Sequence, residues 1–259
     1  NVTRKVPKMD YVTECQNRLW GCYYGLEDGK TVNEIVCCKR GDFKNWEVYS
    51  GISTDSFKAS CGTDGVWTGA VTYLGYPLFF KENYVHKVYI SSGGAHQIVS
   101  MAIDGVQKGS DTSFAIVNDY LFYKSKTGIN RFDGTQAVNI SSDLGNEQYC
   151  DAVGGRLGEK YYVSMKDINK KGLWIREDNT MALYFADIDN ELYYIDGDSN
   201  ELKTINGTEG KEEDKFPWKI VFGDIGYEYF QKKYLSRFNI RMSLEEDGWA
   251  EIYTEYDSN

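Results

Sequence analysis

A pair of adjacent aromatic residues recurs along the chain about every 40 residues, and this repeat limits the possible folds more than any other feature. The pairs are Phe79-Phe80, Phe122-Tyr123, Tyr161-Tyr162 and Tyr193-Tyr194, at successive spacings of 43, 39 and 32 residues. Each pair lies in a short apolar segment with polar, turn-like residues on either side. Repeats of roughly 40 to 50 residues with about four strands each are typical of β-propeller blades.

The segments around the aromatic pairs define four copies of a strand–turn–strand unit and a fifth, more divergent one. The four copies run from Ala70 to Ile90, Phe114 to Gly134, Asp151 to Met165 and Ala182 to Leu202, and the divergent copy runs from Arg18 to Tyr49. One small twisted sheet cannot bury both of its faces unless other sheets stack against it. The sequence therefore predicts an all-β protein, a β-propeller-like array of about five to six short antiparallel sheets.

Turn residues and composition agree with this prediction. The dipeptides Asn118-Asp119, Gly154-Gly155, Asp189-Asn190 and Gly197-Asp198 tolerate the positive φ angles of tight hairpins, and we expect turns there. The chain has 21 Tyr, 12 Phe and 6 Trp, residues that favour strands over helices. No segment has a convincing helical pattern.

We expect three parts along the chain. Residues 1–206 hold the propeller repeats, residues 207–215 form a charged loop, and residues 216–259 read as further strands that close the propeller or begin a neighbouring sheet domain. Only seven residues separate Met165 from Leu173, so a blade strand is expected to be missing there. The chain starts without an initiator Met, which suggests a piece of a longer polypeptide.

Charge and hydropathy exclude some classes of function. A formal net charge of −10 argues against a general nucleic-acid binder, although a local basic patch stays open. The most apolar stretch, Val71 to Phe80, has the length of a strand and contains Gly75 and Pro77, so no membrane span is predicted. The first residues lack the apolar core of a signal peptide.

The cysteines and histidines do not form a recognisable metal or catalytic motif. The six cysteines are Cys15, Cys22, Cys37, Cys38, Cys61 and Cys150, and no two have the C-x-x-C spacing of a zinc knuckle. We expect buried free thiols in a reducing compartment. His86 lies on a predicted strand and His96 in a predicted flexible loop, and a structural or solvent-facing role is expected for both.

We predict no catalytic, cofactor-binding or metal-binding residues and no cofactor. Thr63 to Trp67 contains the Asp, Gly and Trp of a sialidase aspartate box at the wrong spacing, so we expect a tight turn followed by a core Trp. The acidic runs Glu212 to Asp214 and Glu245 to Asp247 resemble solvated loops rather than a glycosidase acid pair. One oxygen-rich set falls on two successive turns, unlike a single calcium loop: Asp187, Asp189, Asn190, Asp196, Asp198 and Asn200.

Three segments carry a family resemblance: Asn17 to Gly25 (NRLWGCYYG), Glu34 to Phe57 and Gly65 to Tyr89. They resemble structural proteins of tailed bacteriophages and prophages of gut Firmicutes. Gly41 to Trp46 (GDFKNW) is similar to a G-D-x-x-N-W/F turn in phage proteins that stabilise packaged DNA or join head to tail. The resemblance extends diffusely from about residue 17 to residue 257. It implies a β-propeller and flanking domains, and this chain departs from it near Lys166 to Gly172, where the family has an extra strand.

The resemblance implies a non-catalytic virion protein, a rigid platform in the tail or head–tail junction, made in the bacterial cytoplasm. Its expected partners are other virion proteins or, in a symmetric ring, further copies of itself. Two alternatives stay open. A carbohydrate-binding module for a bacterial surface glycan would need two or more Trp or Tyr rings exposed together, with Trp20, Trp46, Trp67 and Trp174 as candidates. A glycosidase, ranked last, would need an acid pair in a central pocket.

Overall fold

A computed structural model describes residues 5–48, 56–91, 96–142, 148–167, 173–174, 181–205, 251 and 253. The chain divides into two compact units, Asn1–Lys219 and Ile220–Asn259. In the second unit Tyr253 is exposed and its hydroxyl donates a hydrogen bond to the Glu251 carboxylate. The predicted charged loop at 207–215 lies outside the described residues, as do all but two of the residues from 216 to 259.

The described part of the first unit is an all-β, propeller-like array of five antiparallel sheets, as the aromatic repeat predicts. The first sheet contains β1 (Tyr11–Cys15), β2 (Arg18–Glu27), β3 (Lys30–Cys37) and β4 (Phe57–Ser60). The second contains β5 (Gly69–Tyr73), β6 (Tyr76–Lys81), β7 (Tyr84–Tyr89) and β8 (Gln97–Met101). The third contains β9 (Ala115–Val117), β10 (Tyr120–Ser125), β11 (Gly128–Phe132) and β12 (Ala137–Asn139).

The last two sheets have three strands each in the described residues. The fourth contains β13 (Tyr149–Leu157), β14 (Lys160–Asp167) and β15 (Leu173–Trp174), and the fifth contains β16 (Ala182–Ile188), β17 (Glu191–Asp196) and β18 (Leu202–Thr204). The structure also contains a 3-10 turn at Asp111–Ser113. No helix among the described residues has the length and apolar character needed to cross a membrane. Every sheet is a meander whose neighbouring strands are consecutive in the chain.

In the second, third and fourth sheets the second strand packs between two neighbouring sheets, which explains the adjacent aromatic residues there. Side chains alternate across a strand, so a pair sends one ring to each side. Phe79 packs with the first sheet around Trp20, whereas Phe80 packs with the third sheet around Tyr123. In the third sheet Phe122 stacks on Tyr161 of the fourth sheet, with ring centroids 5.2 Å apart.

The first hairpins of four of the five sheets reverse through two residues with positive φ. Both turn residues have positive φ at Asn118-Asp119 and Asp189-Asn190, as predicted, and also at Gln16-Asn17 and Leu74-Gly75. Two-residue turns of this kind match the right-handed twist of the flanking strands. The turn predicted at Gly197-Asp198 connects β17 to β18.

The turn predicted at Gly154-Gly155 is wrong, because both glycines lie inside β13, opposite Val163 and Tyr162. A Cβ atom on Gly154 would lie 2.4 Å from the Ser113 carbonyl oxygen, and one on Gly155 would lie 2.7 Å from Cβ of Phe185. The two glycines therefore allow close approach of neighbouring segments on both sides of β13. They do not reverse the chain.

The divergent copy is a full four-stranded sheet with different limits from those predicted. It begins at Tyr11, before Arg18, and its fourth strand is Phe57–Ser60. The aromatic signal misses β1 and β4 because neither contains an aromatic pair.

Candidate interaction surface

The five turns that follow the first strand of each sheet lie on one face of the array, here called the first-hairpin face. Contacts join each hairpin to the next. The Cys15 thiol donates to the Gly75 carbonyl at 3.2 Å, and the Tyr73 hydroxyl donates to the Asp119 carbonyl. Arg156 donates to the Ile116 carbonyl at 3.5 Å and forms an ion pair with Asp187 at 2.9 Å. These links connect all five sheets in order and hold their hairpins side by side.

Large apolar side chains are exposed on the first-hairpin face. Leu74 is 56% exposed and Ile188 55% exposed, both beside turns of this face, and Tyr120 is 37% exposed. Phe43 is 60% exposed in a loop whose Gly41 amide donates to the carbonyl of the turn residue Asn17 at 2.8 Å. These exposed apolar side chains make this face a candidate contact surface.

The opposite face carries the second hairpins of the sheets, and its turns are polar. They contain Asp28-Gly29, Glu82-Asn83 and Lys126-Thr127. Leu26 and Leu202, each 70% exposed, are the large apolar residues described near these turns. The three turns named above thus contain no apolar residue such as Leu74 of the first-hairpin face.

The loop that presents Phe43, residues 39–48, is held by its own hydrogen bonds. The Lys39 amide donates to the Asn45 carbonyl at 2.8 Å, and the Asn45 amide donates to the Asp42 carbonyl at 3.1 Å. The Trp46 indole N–H donates to the Phe43 carbonyl at 2.8 Å. A loop ordered in this way loses little conformational entropy when it binds a partner. It contains the GDFKNW segment on which part of the family resemblance depends.

Two clusters near the first-hairpin face combine tyrosine rings with cations. The rings of Tyr76 and Tyr89 are 5.2 Å apart, and the Lys87 ammonium lies 4.4 Å and 5.0 Å from their centroids. In the next sheet the Arg131 guanidinium lies 4.6 Å from the Tyr120 ring. Tyrosine and arginine are enriched among the residues that dominate binding at protein interfaces.

The tryptophans named as candidates for stacking on sugars form no exposed platform among the side chains that the structure describes. Trp20 and Trp67 are buried in the core, and for Trp67 this agrees with the core position expected after the turn at Thr63. Trp46 is half-buried in its loop. The side chain of Trp174 lies outside the described residues. The tyrosine ring pair with an exposed member is instead Tyr76 with Tyr89: Tyr89 is exposed at the end of β7, and Tyr76 is half-buried at the start of β6.

Both histidines belong to the core packing. His86 is fully buried, with Nε2 2.8 Å from the Thr63 hydroxyl and its ring 4.9 Å from that of Trp67. Burial, reinforced by the nearby Lys81 ammonium, lowers the pKa of His86 to about 4. His96 packs between Trp20 and Phe57, and its Nδ1 accepts the Ser91 amide at 3.3 Å. His86 is thus structural, and His96 is a packing residue rather than part of an open loop.

Two buried lysines bind neutral acceptors. The Lys81 ammonium donates to the Thr63 carbonyl at 2.6 Å and to Oδ1 of Asn33 at 3.2 Å, and lies 4.5 Å from the Trp67 ring. The Lys124 ammonium donates to Gln107 at 2.9 Å, and burial lowers its pKa to about 8. In the described part of the chain no carboxylate pairs with either lysine.

The cysteine thiols behave as packing groups. Cys15, Cys22, Cys37 and Cys38 are buried, Cys61 and Cys150 are half-buried, and none forms a disulfide. Burial raises the pKa of all six thiols, to about 11 for Cys37 and Cys61. Thiols of this kind are poor nucleophiles at neutral pH because the reactive species is the thiolate.

A cleft of about 350 Å³ lies between the fourth and fifth sheets and contains two acids, Asp111 and Asp151. Neither acid is buried, and Asp151 pairs with Lys166 at 3.4 Å with about half of each side chain exposed. A glycosidase general acid needs an apolar environment that keeps it protonated. The cleft does not provide such an environment for either carboxyl.

Two of the oxygen-rich residues of the fifth sheet bind neighbouring side chains. Asp187 pairs with Arg156 of the fourth sheet, and within its own hairpin Asp196 accepts Lys203 at 2.6 Å and the Ser199 hydroxyl at 3.0 Å. The Lys203 hydrogen bond lowers the pKa of Asp196. Among the residues that the structure describes, no group of three or more His, Cys, Asp or Glu side chains is arranged to hold a metal.

No protein-family model matches the chain, and no curated protein matches its sequence.

Proposed function

We propose that this protein is a non-catalytic structural component of a tailed-bacteriophage virion. The propeller-like array would serve as a rigid platform for protein–protein contacts in the tail or at the head–tail junction. The protein would be made in the bacterial cytoplasm and retained in the finished particle. Its partners would be other virion proteins.

The first-hairpin face is the observation that carries the platform proposal. It exposes Phe43, Leu74, Tyr120 and Ile188 on hairpins that contacts join from sheet to sheet. Because the sheets pack through shared aromatic cores, this surface loses little freedom on binding. The resemblance of GDFKNW to a turn in phage proteins supports the virion assignment, since that segment forms the ordered loop on this face.

Detection of the protein in purified particles tests the virion assignment. Tailed particles are purified by density gradient from the culture that produces the protein and probed with an antibody raised against the chain. We expect a constant ratio to the capsid protein and immunogold labelling on the tail or at the head–tail junction. Absence of the protein from particles that are otherwise complete would reject the assignment.

A glycan-binding module is the second candidate, because the exposed ring of Tyr89 packs against the half-buried ring of Tyr76. It ranks second because Lys87 lies over both rings, where a sugar would stack. Binding on a glycan array that is lost in Tyr89→Ala would favour this candidate over the platform.

A further inference from the structure

We propose that the first-hairpin face pairs two copies of this chain about a two-fold axis. The loop at residues 39–48 of one copy would lie against the β16–β17 hairpin of the other. This inference uses the surface of the proposed platform and names its partner as a second copy.

The two elements carry complementary side chains. The loop exposes Phe43 with the cations Lys39, Arg40 and Lys44 close by in sequence, and its own Asp42 carboxylate accepts the Lys44 amide at 3.2 Å. The hairpin exposes Ile188 next to Asp189, an exposed acid at positive φ. An apolar residue with cations close by thus has an apolar counterpart beside an exposed acid.

The charge of the whole chain makes this pairing selective. Two copies with a formal charge of −10 each repel one another unless a basic element of one faces an acidic element of the other. The loop at residues 39–48 is the more basic element, with three cations against the two acids Asp42 and Glu47. The β16–β17 hairpin contributes Asp189, whereas Asp187 is held in the ion pair with Arg156. Complementary charges orient the encounter, while the apolar groups supply most of the affinity.

Symmetry makes the contact occur twice. When two copies meet face to face about a two-fold axis that bisects the loop and the hairpin, each loop meets the other copy's hairpin. Both elements lie on the same face of the array, as this geometry requires. A contact made twice closes as a dimer and leaves neither element free to start a filament.

The test measures the self-association of the full chain by sedimentation velocity from low micromolar to several hundred micromolar concentrations. The loop variant is Arg40→Glu with Lys44→Glu, and the hairpin variant is Asp189→Lys. Asp28→Lys is the matched control, because Asp28 is also an acidic turn residue at positive φ but lies on the opposite face. The wild type and the control should dimerise alike. Each of the other variants should weaken dimerisation at least tenfold.

Mixing the loop variant with the hairpin variant provides the decisive arm. In the mixed dimer the altered loop meets the altered hairpin, and the wild-type loop meets the wild-type hairpin. We therefore expect a heterodimer close to wild-type affinity. A monomeric wild type, variants that dimerise like the control, or a mixture that stays monomeric would each overturn the pairing. Detection of the protein in particles would be unaffected by these outcomes, so failure of the dimer is distinct from failure of the proposed function.

Discussion

Replacing Gly105 with alanine is expected to lower the free energy of unfolding by about 3 kcal/mol, at the upper end of the usual cost of overpacking. Gly105 is buried where the chain leaves the second sheet, and its amide donates to the Glu82 carbonyl at 3.0 Å. A Cβ atom there would lie 1.9 Å from the Lys81 carbonyl oxygen and 3.0 Å from that of Tyr84. Both oxygens belong to the backbone of the β6–β7 hairpin, so a methyl group fits only if that hairpin moves.

Urea unfolding of Gly62→Ala gives the matched control for this prediction. A Cβ atom on Gly62 has no neighbour within 4 Å and its φ is not in the left-handed region, so we expect a change within about 0.5 kcal/mol. Equal urea midpoints for Gly105→Ala and the wild type would contradict the packing described between the second sheet and the segment that follows it.

Acid is expected to destabilise the array through His86. Its pKa is about 4 in the folded protein, against 6.5 for the free side chain, because the fully buried ring resists protonation. The folded-state pKa is depressed, so between pH 6.5 and pH 4 the unfolded chain binds a proton that the folded protein does not. Stability is therefore lost as the pH falls through this window, by about 3 kcal/mol at most from this one group.

Comparison with His86→Gln isolates this effect from the titration of the acids. Unfolding of both proteins is followed by circular dichroism in urea at pH 7, 6, 5 and 4. The wild type should lose more stability than the variant over this range, with most of the difference below pH 6. His96→Gln controls for the loss of a histidine that is only half-buried. Parallel pH profiles for the wild type and His86→Gln would show that the His86 ring is accessible to protons.

The fold could be predicted from the sequence because the main signal, the recurring pair of aromatic residues, has a direct structural cause. A strand between two sheets needs apolar groups on both sides, so Phe79 and Phe80 are adjacent in sequence although they belong to different interfaces. The same logic explains the hairpin turns, since Asn and Asp adopt positive φ at little cost. Gly154 and Gly155 were misassigned because a glycine required for close packing has the same sequence signature as one required for a turn.

The candidate interaction surface was harder to predict from the sequence than the fold. The sequence favours core packing over a sugar platform for Trp20 and Trp67, and only their burial in the structure decides between the two. Tyr76, Lys87 and Tyr89 come together only through the pairing of β6 with β7, which places Tyr76 across from Tyr89. The ordered loop at residues 39–48 was marked by its resemblance to a phage turn. That resemblance gave no indication that Phe43 is exposed beside the Asn17 turn.

Incorporation of surface variants into particles tests the central claim most directly. Leu74→Glu places a charge on the first-hairpin face, and Asn83→Glu places the same charge on an exposed turn of the opposite face. Each variant replaces the wild-type copy in the producing strain, and its ratio to the capsid protein is measured in purified particles. The platform account predicts that Leu74→Glu lowers this ratio at least tenfold while Asn83→Glu leaves it unchanged. Equal incorporation of both variants, or loss of Asn83→Glu alone, would contradict the account.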